Sequence, residues 1–238
     1  MYIISTFYKF VRISDTLSLQ KSLKDFCLEK EIKGTILIAE EGINATVVGK
    51  EDEIKQFHTF MSSLPYFPDL FFQESSCEFM PFQKLKVKIK PEIITFKVPD
   101  LDMSNTGEYI KPEDWDAFIS RSDVKVIDTR NYYEVAMGSF KNAISPNTNN
   151  FTDLVEWIEK NLDKKDLETP IAMFCTSGVR CEKSTAYVKK LGYKNIYHLQ
   201  GGITNYLKRN KCGILWEGTC FIFDDRIALD SCLLSTNA

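Results

Sequence analysis

Two cysteines and an arginine lie within a short stretch, residues 172–182, which reads A-M-F-C-T-S-G-V-R-C-E. Cys175 ends an apolar run that predicts a buried strand, and a helix is predicted to begin near Cys181. Gly178 lets the connecting backbone curl, so that successive N–H groups point at one spot. Such a nest at a helix start, beside the charge of Arg180, lowers the pKa of a thiol. The pattern predicts a reactive thiolate at Cys175.

Other interpretations of the cysteines are weaker. A free cysteine is often a small buried apolar side chain, which is the interpretation favoured for Cys27, Cys77 and Cys232. C-x5-C is not a zinc spacing and the chain has 2 histidines, so no metal site is predicted. The 7 cysteines are odd in number and scattered, which favours a reducing cytoplasm over a disulfide scaffold.

Length and charge narrow the class of protein. A chain of 238 residues with 44% hydrophobic and 26% charged residues is long enough for two globular domains. No apolar stretch approaches the roughly 20 residues needed to span a bilayer, so no membrane partner is predicted. The first residues resemble a strand more than a signal peptide. A net charge of −3 means that nucleic-acid binding would need a local basic patch.

The first domain is predicted over residues 1–96. Its pattern has the order β-α-β-β-α-β, typical of a ferredoxin-like domain with two helices on one face of an antiparallel sheet. The predicted strands are 2–11, 34–39, 44–48 and 82–89, and the predicted helices are 17–29 and 51–64.

A linker is predicted over 97–109, a second domain over 110–215 and a C-terminal segment over 216–238. In the second domain short apolar runs alternate with helices, which predicts a parallel sheet with helices on both faces. The runs are 124–128, 170–175 and 196–199, and the helices are 112–120, 151–161 and 181–191. The fold class is therefore α+β followed by α/β.

The stretch C-T-S-G-V-R resembles the active-site loop of the rhodanese superfamily, in which a cysteine carries a persulfide. Four residues separate Cys175 from Arg180, whereas related phosphatases have five, so sulfur is favoured over phosphate. Residues 126–135, 138–144 and 197–203 resemble the rhodanese D-x-R-x-x-x-E, G-H-I-P-G-A-I and L-x-G-G segments. The resemblance implies a rhodanese-like second domain. Its loop residues would be Thr176, Ser177, Gly178 and Val179.

Asp128 and Arg130 follow a strand predicted to lie beside the one that ends at Cys175. We expect them to support the loop by hydrogen bonds. The alternative is an ion pair on the surface.

Five segments in one order resemble the tRNA uridine 5-hydroxylase family (TrhO), over residues 3–230. They are E-E-G-I-N-A-T-V-V-G (40–49), F-Q-K-L-K-V-K-I-K-P-E-I-I-T (82–95), D-T-R-N-Y-Y-E-V (128–135), C-T-S-G-V-R-C-E-K-S (175–184) and W-E-G-T-C-F-I-F-D-D-R (216–226). The resemblance implies oxygen-dependent hydroxylation at C5 of the wobble uridine of tRNA, and an acylphosphatase-like first domain. Molecular oxygen would be the co-substrate, and no metal or flavin is predicted. Two routes stay open: thiolate attack at C6 of the uracil, or a persulfide or peroxy-type adduct on Cys175.

Cys181 belongs to the family pattern C-T-G-G-I-R-C, in which Ser177 replaces a glycine. Cys181 is either a resolving thiol, with its pKa lowered by the helix dipole, or a helix-start residue that faces the core. Longer family members continue into a cysteine-rich tail, of which only Cys232 is present here.

tRNA is the predicted partner. Lys84, Lys86, Lys88 and Lys90 alternate along one strand and so point to one face, where they form either a phosphate track or a solvated surface. Asn44 either reads a nucleotide edge or stabilises its turn.

Two rival functions also use this domain. The first is a sulfurtransferase that moves sulfur through a Cys175 persulfide. The second is a non-catalytic rhodanese-like binding module. The intact cysteine argues against it, since such modules often lose this residue.

Overall fold

The computed structural model describes residues 1–163, 165–210 and 215–230. Contacts divide the chain into two compact units, Met1–Thr95 and Phe96–Ala238. Cys212 and Cys232 lie outside the described residues. Within the described part of the chain, no helix has the length and apolar character needed to cross a bilayer.

The first unit is one five-stranded sheet with two helices. Its elements are β1 (Tyr2–Phe10), α1 (Thr16–Glu29), β2 (Lys33–Ala39), β3 (Gly42–Gly49), α2 (Glu51–Ser63), β4 (Gln73–Cys77) and β5 (Leu85–Ile89). The strand order is β4-β1-β3-β2-β5. Alternate residues of β3, such as Ile43, Ala45 and Val47, are buried with Leu23 of α1 and Phe57 of α2. Both helices therefore cover one face of the sheet, which confirms the predicted layering.

The structure corrects the prediction for the last strand of this unit. The fourth strand of the ferredoxin-like pattern is β4, which pairs antiparallel with β1 and was not predicted. Its sequence, Q-E-S-S-C, lacks alternating apolar residues because β4 is an edge strand with no residue fully buried. The strand predicted over 82–89 is β5, an addition that pairs with β2 in parallel rather than antiparallel.

The second unit is built on a parallel sheet of order β6-β10-β9-β7. Its strands are β6 (Glu108–Ile110), β7 (Lys125–Asp128), β8 (Gly138–Phe140), β9 (Ile171–Phe174), β10 (Ile196–Leu199), β11 (Trp216–Gly218), β12 (Cys220–Phe221) and β13 (Ala228–Leu229). Its helices are α3 (Pro112–Ile119), α4 (Tyr132–Val135), α5 (Leu154–Asn161), α6 (Val179–Lys190) and α7 (Gly202–Arg209).

Helices cover both faces of this sheet, as predicted. Phe174 of β9 packs in one core with Trp115 of α3 and Tyr206 of α7. The side chain of Met173, next along the strand, accepts a hydrogen bond from Ser184 of α6 at 3.4 Å. Neighbouring residues of a strand point to opposite faces, so α6 lies on the face opposite α3 and α7.

Segments at both ends of the second unit join its core. Phe96, the last residue of the predicted first domain, stacks on Phe151 with ring centroids 4.6 Å apart, and β6, which spans the end of the predicted linker, pairs with β10. In the predicted C-terminal segment, β11 pairs antiparallel with β8 and Trp216 packs on Phe140.

Candidate active site

Cys175 directly follows β9, at the carboxyl end of the parallel sheet, and its side chain is buried. Gly178 has φ +105°, a left-handed conformation, and caps α6. This geometry turns the Gly178 N–H toward the Cys175 sulfur, to which it donates at 3.2 Å. The helix begins at Val179, two residues before its predicted start, so Arg180 lies in the first helical turn. The predicted nest of donors around Cys175 is present.

The site favours a thiolate at Cys175. Burial raises the pKa of the thiol, but a hydrogen bond from the Cys181 side chain, the charge of Arg180 and the backbone N–H groups of Cys181 and Gly178 outweigh it. The net effect lowers the pKa of Cys175 to about 6, so the group is anionic at neutral pH. Thiols with a lowered pKa act as nucleophiles and as metal ligands, because the thiolate is the reactive form.

Cys181 corrects one prediction. Its pKa was expected to be lowered by the helix dipole, yet burial and the neighbouring Cys175 raise the pKa of this thiol well above its usual value. When Cys175 carries the negative charge, a second thiolate beside it is disfavoured. Cys181 therefore stays protonated and donates its S–H to Cys175. Thr129 fixes it from the other side, with Oγ1 3.6 Å from the Cys181 sulfur.

Arg180 is held by Glu134, a residue of α4. Arg180 Nη1 donates to Glu134 Oε2 at 2.6 Å and Nη2 donates to Oε1 at 2.7 Å. Arg180 also donates to Thr176 Oγ1 at 3.2 Å. Burial raises the pKa of Glu134, but the charge and hydrogen bonds of Arg180 outweigh it and lower that pKa. The carboxylate therefore stays ionised and keeps the guanidinium beside the loop.

Asp128 and Arg130 are buried and form an ion pair with each other, Arg130 Nη2 to Asp128 Oδ2 at 2.6 Å. The surface alternative is therefore wrong. Arg130 also donates to the carbonyl of Gly138 at 2.6 Å, and Asp128 accepts from Ser139 Oγ at 2.8 Å. These hydrogen bonds brace the chain around α4 and β8. Support of the loop is thus indirect, through the segment that carries Glu134, because Arg130 Nη1 donates to the Glu134 carbonyl at 3.5 Å.

The start of α7 supports the loop directly, which the sequence did not indicate. The N–H of Ile203 donates to the Cys175 carbonyl at 3.0 Å and that of Thr204 to the Thr176 carbonyl at 3.1 Å. Gly202 has φ +68°, and a Cβ there would lie 2.5 Å from the Cys175 carbonyl oxygen. Only glycine permits this approach. Gly202 lies in the L-x-G-G segment and Glu134 in the D-x-R-x-x-x-E segment, so those motifs held the missing signal.

The remaining predicted loop residues flank the sulfur. Thr176 is buried and its hydroxyl donates to Glu134 Oε1 at 3.3 Å. Val179 is buried as the first residue of α6, and Ser177 is partly exposed.

The predicted tRNA-binding residues lie in the first unit. The four predicted lysines are exposed: two lie on the edge strand β5 and the other two directly flank it. They are Lys84, Lys86, Lys88 and Lys90. The Asn44 side chain donates to the carbonyl of Ile93 at 3.1 Å, a contact that ties the segment after β5 to the sheet. In the described residues no group of three or more His, Cys, Asp or Glu side chains is placed to hold a metal ion.

Two family models match the chain, one in each of the two units. Residues 2–93 match the UPF0176 acylphosphatase like domain, and residues 111–209 match the Rhodanese-like domain. The fold thus defines a two-domain protein, with an acylphosphatase-like domain followed by a rhodanese-like domain that carries Cys175 at the end of β9.

Curated relatives cover almost the whole chain. A protein of Wolbachia pipientis subsp. Culex pipiens (strain wPip) is 51% identical over 98% of this chain and 82% of its own length. A protein of Ehrlichia canis (strain Jake) is 48% identical over 98% of this chain and 86% of its own length. A protein of Anaplasma marginale (strain St. Maries) is 46% identical over 96% of this chain and 83% of its own length. Each is named tRNA uridine(34) hydroxylase. The chain belongs to the tRNA uridine(34) hydroxylase family.

Proposed function

We propose that this protein hydroxylates C5 of uridine 34 in tRNA, with molecular oxygen as co-substrate and Cys175 as the reactive group. One observation carries the assignment of the reactive group: a buried sulfur with a pKa lowered to about 6 in a member of the tRNA uridine(34) hydroxylase family. The proposal includes tRNA as the partner and the cytoplasm as the location.

The thiolate has a defined chemical task on a uracil ring. Addition of a thiolate to C6 makes C5 nucleophilic, and C5 is the atom to be hydroxylated. An oxygen or sulfur adduct on the same sulfur is the other open route. Both routes begin from an ionised Cys175, for which the Gly178 N–H and the Arg180 charge provide the stabilisation.

Cys181 completes the electron balance in this proposal. Insertion of one atom of O2 at C5 leaves the other atom to be reduced to water, which takes two electrons and two protons. The Cys175 thiolate and the Cys181 thiol supply both electrons and one proton when they join as a disulfide, and solvent supplies the second proton. The hydrogen bond between the two side chains supports this pairing. A thiol reductant then regenerates the pair by exchange.

The lysines of β5 are proposed to contact tRNA phosphates. Four exposed lysines on and beside an edge strand form a basic patch in a chain whose net charge is −3. Such a patch is the local feature that phosphate binding needs.

The test is nucleoside mass spectrometry of tRNA from cells that lack the gene, complemented with wild type, Cys175→Ala or Cys181→Ala. We expect 5-hydroxyuridine derivatives to disappear without the gene and only the wild type to restore them fully. In vitro, the reaction under 18O2 should place the heavy isotope in the product. Unchanged tRNA in a strain without a redundant pathway would contradict the proposal.

The sulfurtransferase alternative is not favoured, because the curated relatives carry the hydroxylase name. A Cys175-dependent transfer of sulfur from thiosulfate to cyanide, with no effect on tRNA, would reverse that preference.

A further inference from the structure

Four aromatic side chains form a continuous row in the second unit, from α4 to the hairpin of β12 and β13. Neighbouring rings meet edge to face, with centroids 5.8 Å apart for Tyr132 and Tyr133, 5.3 Å for Tyr133 and Phe221, and 5.0 Å for Phe221 and Phe223. The two ends of the row are open to solvent, since Phe223 is 62% exposed and Tyr132 is 49% exposed. An exposed aromatic surface of this kind commonly marks a binding site.

The row ends beside the reactive loop. The guanidinium carbon of Arg180 lies 5.9 Å from the centroid of the Phe223 ring, within cation–π range. The same guanidinium donates to Thr176, and its charge lowers the pKa of Cys175. One side chain, Arg180, therefore separates the exposed ring from the residues of the loop.

The turn that carries Phe223 is braced. Asp224 accepts hydrogen bonds from Arg226 Nε at 2.9 Å and Nη2 at 2.6 Å, and both side chains are almost fully buried. The N–H of Ile222 donates to the carbonyl of Ile227 at 2.8 Å across the turn. A buried ion pair thus fixes the turn that carries Phe223, which reduces the backbone entropy lost when a ligand covers the exposed ring.

We infer that Phe223, with Arg180 beside it, is a stacking platform for the uracil of nucleotide 34 in the anticodon loop. Unpaired bases in RNA loops are bound by stacking on aromatic rings and arginine planes. A base splayed out of its loop and stacked on Phe223 would lie beside the Cys175 loop. The inference rests on the proposed function, since it takes tRNA as the ligand.

The experiment pairs a change in the protein with a change in the RNA. Binding of an anticodon stem-loop with uridine 34, or with an abasic nucleotide there, is measured with the reduced full chain in the absence of oxygen, so that no turnover occurs. With the wild type, loss of the base should raise Kd about 5- to 100-fold, as expected for one stacked base. With Phe223→Ala, Kd for the intact RNA should rise by a similar factor, and loss of the base should have no further effect.

Three further variants sharpen the result. Phe223→Trp should retain the dependence on the base, whereas Phe223→Leu should lose it although it stays apolar. Phe71→Ala is the matched control, because Phe71 is also 62% exposed but lies in the first unit. It should retain the full effect of base removal. Circular dichroism of each variant verifies the fold.

Two outcomes overturn the inference. One is an equal cost of base removal in the wild type and in Phe223→Ala. The other is that Phe223→Ala cancels the cost of removing the base of nucleotide 35 but not the cost of removing the base of nucleotide 34. Failure of the proposed function has a different signature: the wild type would not distinguish the intact stem-loop from an unrelated RNA hairpin, and cellular tRNA would not depend on the gene.

Discussion

Glu134 binds both terminal nitrogens of Arg180, at 2.6 and 2.7 Å, with its carboxylate completely buried. The pair joins α4 to the first turn of α6. It keeps a permanent positive charge beside Cys175 that a lone, solvated arginine would not hold in one orientation. The charge of the reactive loop therefore depends on a carboxylate 46 residues away in sequence.

Removal of Glu134 should destabilise the second unit. Glu134→Gln leaves the Arg180 charge buried without its partner, which costs about 3–5 kcal/mol of unfolding free energy. In a cycle of Glu134→Leu, Arg180→Met and the double variant, the double variant should cost less than the sum of its own two single changes. Urea unfolding followed by tryptophan fluorescence measures this, because Trp115, Trp157 and Trp216 all lie in the second unit. Additive single costs would contradict a direct pair.

The Cys175 thiolate should form with a midpoint near pH 6, seen as thiolate ultraviolet absorbance that is absent from Cys175→Ala. Cys181→Ala removes the S–H donor, so the midpoint should rise toward the usual value of about 8.5. Cys181→Ser keeps a donor and should stay closer to the wild type. Because the folded-state pKa is lowered, ionisation of Cys175 stabilises the fold fully above pH ~8.5, and this contribution is lost as pH falls through about 6. An unshifted midpoint in Cys181→Ala would show that its hydrogen bond has no such role.

A reduced protein without added reductant should make about one product per chain and then stop. Peptide mass spectrometry should then find a Cys175–Cys181 disulfide, because the pair has supplied two electrons. Cys181→Ala should form product only when an external thiol is present. Full single-turnover product from Cys181→Ala without reductant would assign the electrons to another source.

Gly202→Ala should disturb the reactive loop. The new methyl carbon would lie 2.5 Å from the Cys175 carbonyl oxygen and 2.6 Å from that of Thr176, so the loop must shift and the thiolate midpoint should rise. Gly192→Ala is the matched control, since Gly192 also has positive φ but a Cβ there would lie 3.6 Å from Leu167 Cδ1. It should cost about 1–2 kcal/mol of stability with an unchanged thiolate midpoint. If the Cys175 thiolate midpoint were the same in both variants, Gly202 would have no role in shaping the loop.

Replacement of the four β5 lysines with glutamine should weaken binding of tRNA and reduce its salt dependence. Each lost phosphate contact lowers the slope of log K against log salt by about 0.7–0.9, so four contacts predict a decrease of roughly three. Lys21→Gln with Lys24→Gln is the control, because both residues are exposed on α1 of the same unit. An unchanged slope would mean that the lysines only keep the edge strand soluble.

Local patterns in the sequence predicted most of the elements, because the helical and strand periodicities are local properties of the chain. β10 is observed over the predicted Ile196–Leu199. β4 was missed because an edge strand needs no apolar alternation, and its place in the sheet comes from pairing with the distant β1. The start of α6 was placed too late because the left-handed Gly178 begins the helix earlier than the apolar pattern indicates.

The sequence by itself determined the loop around one sulfur: a cysteine, a glycine and an arginine at a spacing that curls backbone donors toward it. Tertiary structure decided the rest of the site. It assigned the proton to Cys181, since the order of ionisation depends on how close two buried sulfurs lie. It brought Glu134, Gly202 and Phe223 to the loop from separate elements. Glu134 and Gly202 meet the loop because the parallel strands before them end at the same edge of the sheet as β9, and Phe223 comes from the antiparallel pair of β12 and β13. Spacing along the chain contains neither relation.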